Sequence, residues 1–480
     1  MALLSGFGKL DFALLRNTMN INIKRSFAVA LIIVFAFSAF AQIEERNVRA
    51  GMTFLAGDAM QGRGSGTPFE RIAAEYVGSQ FMQFGLEPAG DNGFDGKPGY
   101  VQTVNISRAT FGGAPAIRFG STMVTHGVDM LVVRTNTAIA GGPLQKLASG
   151  SQRAMQGGVV LLRTQPTDDQ RSLQQTIQRL SSEGAAIVIV EETPQWRTNW
   201  ATMASRRISY SVSAVPPKPA VAVIVAKSVA DAISQLADGT RIDFSGPLLP
   251  VQTSNTWNAI GKLTGSDPKL SAEVIVLSSH LDHVGVRENA PGEDKIFNGA
   301  NDDASGTVAV MELARVLAAG KRLRRTVYFV CYGSEEAGGY GSRHFVDTLQ
   351  FPRENLIANL QWEMIGRPDA KIKPDELWLT GFERSNLGPE LAKRGAKLVQ
   401  DPHPQENFFQ RSDNFTLARQ GIIAHTVSSF GLHTDYHRAS DELKTIDFGY
   451  MTRAINSMVK PIEWLANSDF RPEWVEGKRP

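Results

Sequence analysis

Six side chains, far apart along this 480-residue sequence, are of types that hold metal ions or move protons: His280, Asp302, Glu335, Glu336, Glu363 and His437. Histidine and carboxylate are the ligands zinc takes when no thiolate is at hand, and Cys331 is the one cysteine in the chain. Two zinc ions about 3.5–4 Å apart need a carboxylate between them and further ligands for each. In such a centre Asp302 bridges, His280 and Glu363 complete one site, and Glu336 and His437 complete the other. Glu335 is left beside the ions, suited to take a proton from water whose pKa the metal has lowered. Asp282, two residues from His280, is expected to accept that imidazole's other ring N–H and fix its orientation. Each residue alone has an ordinary explanation: a loop histidine, a solvated glutamate pair, or helix caps at Asp302 and Asp303. The combination is what points to a metal centre.

The apolar pattern supplies the elements that would bring these residues together. From about residue 255, strand and helix alternate: strands over 272–279, 325–332, 356–363 and 422–430, helices over 304–319, 340–349 and 448–466. Such alternation predicts a largely parallel sheet covered on both faces. In open sheets of this kind ligands bind in crevices at the carboxyl ends of the strands. His280, Glu335-Glu336, Glu363 and the pair His433/His437 each follow a predicted strand, and Asp302-Asp303 immediately precedes a predicted helix. Upstream, residues 46–56 and 68–84 have helical spacing, with a Gly/Ser loop over 62–67 and Thr67 as the expected N-cap. Residues 116–248 read as a separate module, with short β-branched runs at 159–163, 185–191 and 220–225 and a helical segment at 167–182. A turn at Pro216-Pro217-Lys218-Pro219 precedes the third run, and His126 is the module's one histidine.

Composition bounds the alternatives. Apolar residues make up 42% and charged residues 20%, ordinary for a globular chain long enough for two domains. A formal net charge of +2 argues against electrostatic capture of nucleic acid or an anionic membrane. One cysteine excludes an intramolecular disulfide framework and a cysteine-based zinc site. Lys24-Arg25 precede an apolar run over 26–37, and Ala39-Phe40-Ala41 follows as a small-residue cleavage site, the pattern of a secretory signal. Residues 1–18 read as an extension upstream of the natural start at Met19, residues 19–41 as the signal, and Gln42 as the first mature residue. The mature protein is expected to be soluble, secreted or periplasmic, with no stable membrane insertion.

Four segments carry a recognisable pattern: Ser279-His280-Leu281-Asp282-His283-Val284-Gly285, Gly299-Ala300-Asn301-Asp302-Asp303-Ala304-Ser305-Gly306, Gly333-Ser334-Glu335-Glu336-Ala337-Gly338 and Tyr436-His437-Arg438-Ala439-Ser440-Asp441. They resemble the co-catalytic two-zinc aminopeptidases, many of which contain an inserted protease-associated domain. The resemblance implies an α/β fold, a phosphorylase/hydrolase-like sandwich with a mostly parallel central sheet, plus a small β-rich insertion at 116–249. Segments 157–162 and 184–190 carry the likeness to the inserted domain. Residues 42–115 and 250–475 would then form one catalytic domain. The resemblance further implies that His280, Asp302, Glu336 and His437 are metal ligands, that Glu335 is the general base, and that the Asp302–Asp303 peptide is cis. Where the family usually has aspartate, the stretch Asn359-Leu360-Gln361-Trp362-Glu363-Met364-Ile365-Gly366 has Glu363, the same carboxylate with one more methylene.

The same motif selects His437 over His433, four residues earlier, where one helical turn would put both on one face. Tyr436 is a candidate donor to a developing oxyanion. His283, His344, His403 and His425 read as structural or surface residues, and Arg411-Ser412-Asp413-Asn414 as a helix cap, with a lining of the substrate pocket as the alternative. The implied activity is removal of N-terminal residues from peptides with a free N-terminus, by metal-activated water at two zinc ions. Its rivals are carboxypeptidase-type cleavage or glutaminyl cyclisation on the same scaffold, and a non-catalytic receptor.

Overall fold

The computed structural model describes residues 42–93, 95–147, 153–165, 168–212 and 218–480. The proposed signal, the residues before it and the first two prolines of the 216–219 turn lie outside the described residues. The chain divides into two compact units, one formed by the residues up to Thr103 with Thr256–Pro480, the other by Val104–Asn255.

In the first unit, helices α1 (Glu45–Leu55) and α2 (Pro68–Gln83) come first, followed by strands β1 (Gln252–Leu263) and β2 (Val274–His280). Helix α3 (Ser305–Ala319), β3 (Thr326–Tyr332), α4 (Tyr340–Asp347) and β4 (Leu356–Trp362) follow. The chain ends through β5 (Leu377–Leu379), α5 (Leu387–Lys393), β6 (Leu398–Gln400), β7 (Ala424–Ser428) and α6 (Phe448–Asn467). The sheet runs β6-β5-β7-β4-β2-β3-β1 and continues past β1 with further strands. Its centre is parallel, with β2 between β3 and β4 and β7 beyond β4. β1 and β5 pair antiparallel with β3 and β7 respectively.

Strands β2, β3 and β4 are buried at every residue. That is why they are mostly apolar, and the polar residues they bury are paired: the Ser278 hydroxyl in β2 meets Gln361 and Asn359 in β4 at 2.5 and 2.7 Å. Helix α3 covers this centre, and Val308, Val310, Leu313 and Leu317 in it are each at most 2% exposed. Each such side chain contributes roughly 1.5–3 kcal/mol by leaving water. At its N-terminus Gly306 approaches the Trp362 carbonyl and the Asp303 carboxylate so closely that a Cβ would overlap both. That approach draws the start of α3 onto the end of β4.

Thr67 follows a tight turn and stands at the N-cap of α2 but does not cap through its side chain; its hydroxyl donates to the Gly64 carbonyl at 2.6 Å. Glu70 reaches back instead, accepting the Gly66 N–H at 2.7 Å. The turn before Thr67 is tight, because Asp58–Arg63 forms a short 3₁₀ turn with Gln61, Gly62 and Arg63 all at positive φ.

The second unit holds a sheet in which Ile139–Lys146, Val159–Leu162, Ile187–Glu191 and Val221–Val225 are neighbours and parallel. Helix Gln170–Ser182 packs Leu173, Ile177 and Leu180 against it. His126 has a structural task there, since its Nδ1 accepts the Val132 N–H at 3.1 Å.

Candidate metal centre

Strand β2 delivers His280 as its last residue, and the His280 N–H donates to Asp303 Oδ2 at 3.2 Å. Asp303 Oδ1 accepts the N–H groups of Gly306 and Met364, each at 3.0 Å. Asp303 thus caps the start of α3 and ties it to the ends of β2 and β4, which leaves Asp302 free to face the other way. The peptide between the two is cis. The Asp302 loop is held from behind by Asp441, whose carboxylate accepts the N–H groups of Asn301 at 2.9 Å and Asp302 at 3.0 Å. Arg63 fixes the same region from below: its guanidinium donates to the carbonyls of Leu281, Asn298 and Gly299 at 2.9, 2.7 and 3.0 Å.

The structure gathers His280, Asp302, Glu336 and His437 from four separate segments. Asp302 Oδ1 lies 3.2 Å from His280 Nε2, and its Oδ2 lies 3.2 Å from His437 Nε2. Glu336 Oε1 is 3.0 Å from His437 Nε2 and 3.0 Å from His283 Nδ1. Glu336 Oε1 and both His283 ring nitrogens are nevertheless buried without a hydrogen-bond partner, as is Glu363 Oε2. Each such atom costs about 1–3 kcal/mol if nothing satisfies it. Short N–O approaches that are not hydrogen bonds place lone pairs around a common space, the arrangement of ligands about a cation. The imidazole and carboxylate donors suit zinc, so the residues present fit a metal centre.

The electrostatics agree. Burial raises the Asp302 carboxyl, yet His280 and His437 hold it well below the usual range. Burial lowers His437, but Asp302 and Glu336 reverse this and lift it to about 10. His280 likewise ends well above its ordinary value, because Asp282 and Asp302 outweigh burial. Burial pushes Glu363 up to about 7 against the pull of His280, with Asp302 adding to the rise. Glu335 is driven well above the usual range by burial, and the charges of Asp413, Glu363 and Glu336 reinforce this against His280.

Some roles differ from expectation. His280 Nδ1 lies 3.2 Å from the Asp282 carbonyl and 3.6 Å from its carboxylate, so the carbonyl is the acceptor. The carboxylate of Asp282 is occupied elsewhere, accepting the N–H groups of Glu335 at 3.0 Å and Glu336 at 3.3 Å and the Ser65 hydroxyl at 2.5 Å. It shapes the turn that carries the glutamate pair. His433 and His437 do not share a helical face; they lie in a turn where His437 has φ 54°. His433 Nε2 meets the Asn301 amide at 2.9 Å, and burial, then Arg367, lowers its pKa to about 4. It is a neutral acceptor outside the cluster. Asp413 stands at the start of Asn414–Ala418 but gives no side-chain cap. Its carboxyl is buried instead, which pushes its pKa up to about 7.

His403 pairs with Asp369 at 2.7 Å, and His425 with Ser385 and Thr380, each at 2.7 Å. Tyr436 stacks on His437 with ring centroids 3.9 Å apart and lines a pocket with Glu363. His283 is the residue that sequence reasoning missed: it lies in the cluster, not in the structural background. The signal was its place in the same short loop as His280 and Asp282.

The chain is 36% identical over 152 residues to a probable zinc metalloprotease of Pyrenophora teres f. teres, covering 30% of this chain and 29% of that one. It is 26% identical over 185 residues to leucine aminopeptidase 1 of Neurospora crassa, covering 36% of this chain and 46% of that one. The chain thus spans less than half the length of either relative. An aminopeptidase from Aneurinibacillus sp. strain AM-1 has a similar fold, with a TM-score of 0.50 at 18% identity, covering 89% of this chain and 95% of that chain. Residues 258–460 match the model of peptidase family M28, and this part of the chain, with all the clustered histidines and carboxylates inside it, is a peptidase family M28 domain.

Proposed function

We propose that the protein is a zinc-dependent exopeptidase that removes N-terminal residues from peptides at a two-zinc centre. The observation that carries this is Asp302, whose two oxygens each face a different imidazole, His280 on one side and His437 on the other. A carboxylate so placed suits bridging; His280 and Glu363 would hold one ion, and Glu336 and His437 the other. Zinc, when bound, polarises a carbonyl and lowers the pKa of water.

The remaining chemistry belongs to the chain. Glu335, basic through burial among other carboxylates, accepts the proton of the attacking water and returns it to the leaving amine. The Tyr436 phenol, raised by burial and then by Asp302 and Glu336, stays protonated and can donate to the developing oxyanion. Trp378, Phe408 and Phe430 line the small pocket beside Glu363 and Tyr436, together with polar Thr380, Arg411 and Thr426. The names of the relatives, an aminopeptidase and a zinc metalloprotease among them, support the same activity. The second unit fits the reading of an inserted protease-associated domain, and the basic-apolar pattern before Gln42 supports export to a periplasmic or extracellular space.

A panel of aminoacyl-nitroanilides, amine-blocked dipeptides and N-terminal glutamine peptides, run with metal analysis, tests the proposal. Release from free-amine substrates is expected, with two zinc ions per chain. Cleavage of blocked dipeptides, cyclisation of glutamine, or no turnover by fully loaded protein would overturn it.

Proton release gives a separate check. In the metal-free protein at neutral pH, His437, at about 10, carries a proton and Glu363, at about 7, carries one about half the time, and a ligand must lose its proton to bind. Affinity is therefore expected to fall as the pH drops from 8 to 6, by about tenfold per unit for each proton displaced. Calorimetric titration of zinc in buffers of different ionisation enthalpy measures that release.

A further inference from the structure

We propose that His283 is a further zinc ligand, binding through Nδ1 the ion that Asp302, Glu336 and His437 share. The inference rests on the reading of this cluster as a zinc centre and not on peptide cleavage. His283 is 0% exposed, and neither ring nitrogen has a hydrogen-bond partner. A buried imidazole ordinarily satisfies at least one of them, as His403 and His425 do here.

The ring is aimed into the cluster. Nδ1 lies 3.0 Å from Glu336 Oε1 and 3.9 Å from Asp302 Oδ2. One donor atom from each of the three residues falls within 4.8 Å of the others. Ligand atoms about 2.0–2.2 Å from a single zinc ion lie roughly 3–4 Å from one another. The His283 and His437 rings are edge to face with centroids 5.6 Å apart, an arrangement open to two imidazoles meeting one ion from different sides.

The orientation is imposed by the backbone. The His283 N–H donates to the Arg63 carbonyl at 3.1 Å, and its own carbonyl accepts the Ser65 N–H at 3.3 Å. Gly299, at φ 58°, lies against the ring so closely that a Cβ there would overlap His283 Cγ and the Asp302 carbonyl. Glycine is thus required both by its conformation and by the space the ring occupies. The loop from His280 to His283 then feeds both halves of the centre, one imidazole to each.

Unequal ions follow. The ion on this side is offered Asp302, Glu336, His437 and His283, whereas the other is offered His280, Asp302 and Glu363. The first is therefore the tighter, and the Glu363 side is the one that fills last and empties first.

Metal-free full-length protein titrated with zinc against a competing chelator should show two binding steps of different affinity. In His283→Ala the tighter step is expected to weaken at least tenfold, with the weaker step close to its original value. Cobalt substitution gives a second readout, since loss of a nitrogen ligand changes the visible spectrum of the ion bound first. If His283→Ala does not fold, as judged by circular dichroism of the metal-free protein, His283→Asn and crystals of the unmodified protein carry the test. Anomalous density at the zinc edge should place an ion about 2.0–2.3 Å from Nδ1. An ion farther than about 3 Å from it, or unchanged binding steps and cobalt spectra in a folded variant, overturns the inference. Two bound zinc ions with no exopeptidase turnover would overturn the proposed function alone; a protein that binds no zinc would overturn both.

Discussion

Replacing Glu335 with glutamine is expected to lower kcat by about 10²–10⁴ while leaving zinc content and KM close to those of the unmodified protein. Glutamine has the same shape and cannot take a proton. The turn that presents residue 335 does not depend on its side chain, because the backbone N–H groups of Glu335 and Glu336 are held by Asp282. Metal retention should survive for the same reason: the short contacts of the cluster run through His280, Asp302, Glu336 and His437. Stability should hold or rise. Burial, and then Asp413, Glu363 and Glu336, push the Glu335 pKa well up, so a neutral amide avoids the cost of burying an ionisable carboxyl among other acids. Steady-state kinetics, metal analysis and thermal unfolding on one preparation separate these effects. Turnover near the unmodified level would remove Glu335 from the mechanism, whereas loss of zinc would make it a positioning residue.

The sequence made the centre of the fold legible for a physical reason. Strands buried on both faces are mostly apolar, as residues 274–277 of β2 and 327–331 of β3 are, while the polar residues of β4, Asn359 and Gln361, are paired with Ser278 of β2. The strand ends then locate His280, the Glu335-Glu336 turn and Glu363 to within a residue or two. β5 and β6, at three residues each, are too short to show a period, and β1, partly exposed, reads as mixed. The convergence of His280, Asp302, Glu336 and His437 was accessible because metal chemistry constrains residue types. The supports of the site were not. Asp441 holds the Asp302 loop through bonds spanning 139 and 140 residues, and no local spacing announces such a contact. The spacing pairs Asp282 with the His280 ring, but only the folded turn shows that its carbonyl makes the contact while two backbone N–H groups take its carboxylate. His283 was passed over because a lone buried histidine is usually satisfied by hydrogen bonds, and only the structure shows that this one is not.

Arg63 is where the largest loss of stability is expected. Its side chain is 0% exposed. Besides the carbonyls of Leu281, Asn298 and Gly299, it donates to that of Leu55 at the end of α1, at 2.5 Å. Burial lowers its pKa to about 10, while Asp282, Asp303, Asp441 and Asp302 oppose the drop, so at neutral pH it remains a cation beneath a group of acids. Arg63→Ala removes all of these bonds and leaves buried carbonyls and an unbalanced negative site. Breaking a buried, hydrogen-bonded charge in this way costs about 3–5 kcal/mol. Denaturant unfolding of the metal-free protein measures that cost, and a difference below about 1 kcal/mol, the scale of a single ordinary hydrogen bond, would contradict it. Arg63→Lys should recover only part of the loss, because an ammonium keeps the charge but not the fork that reaches several carbonyls at once. The same bonds fix the loop of His280 and His283 and the loop of Asp302 relative to each other. Zinc affinity is therefore expected to fall together with stability, by about 10–100-fold. A variant that loses stability while binding zinc at full affinity would mean that the two loops are held in register by something other than this one guanidinium.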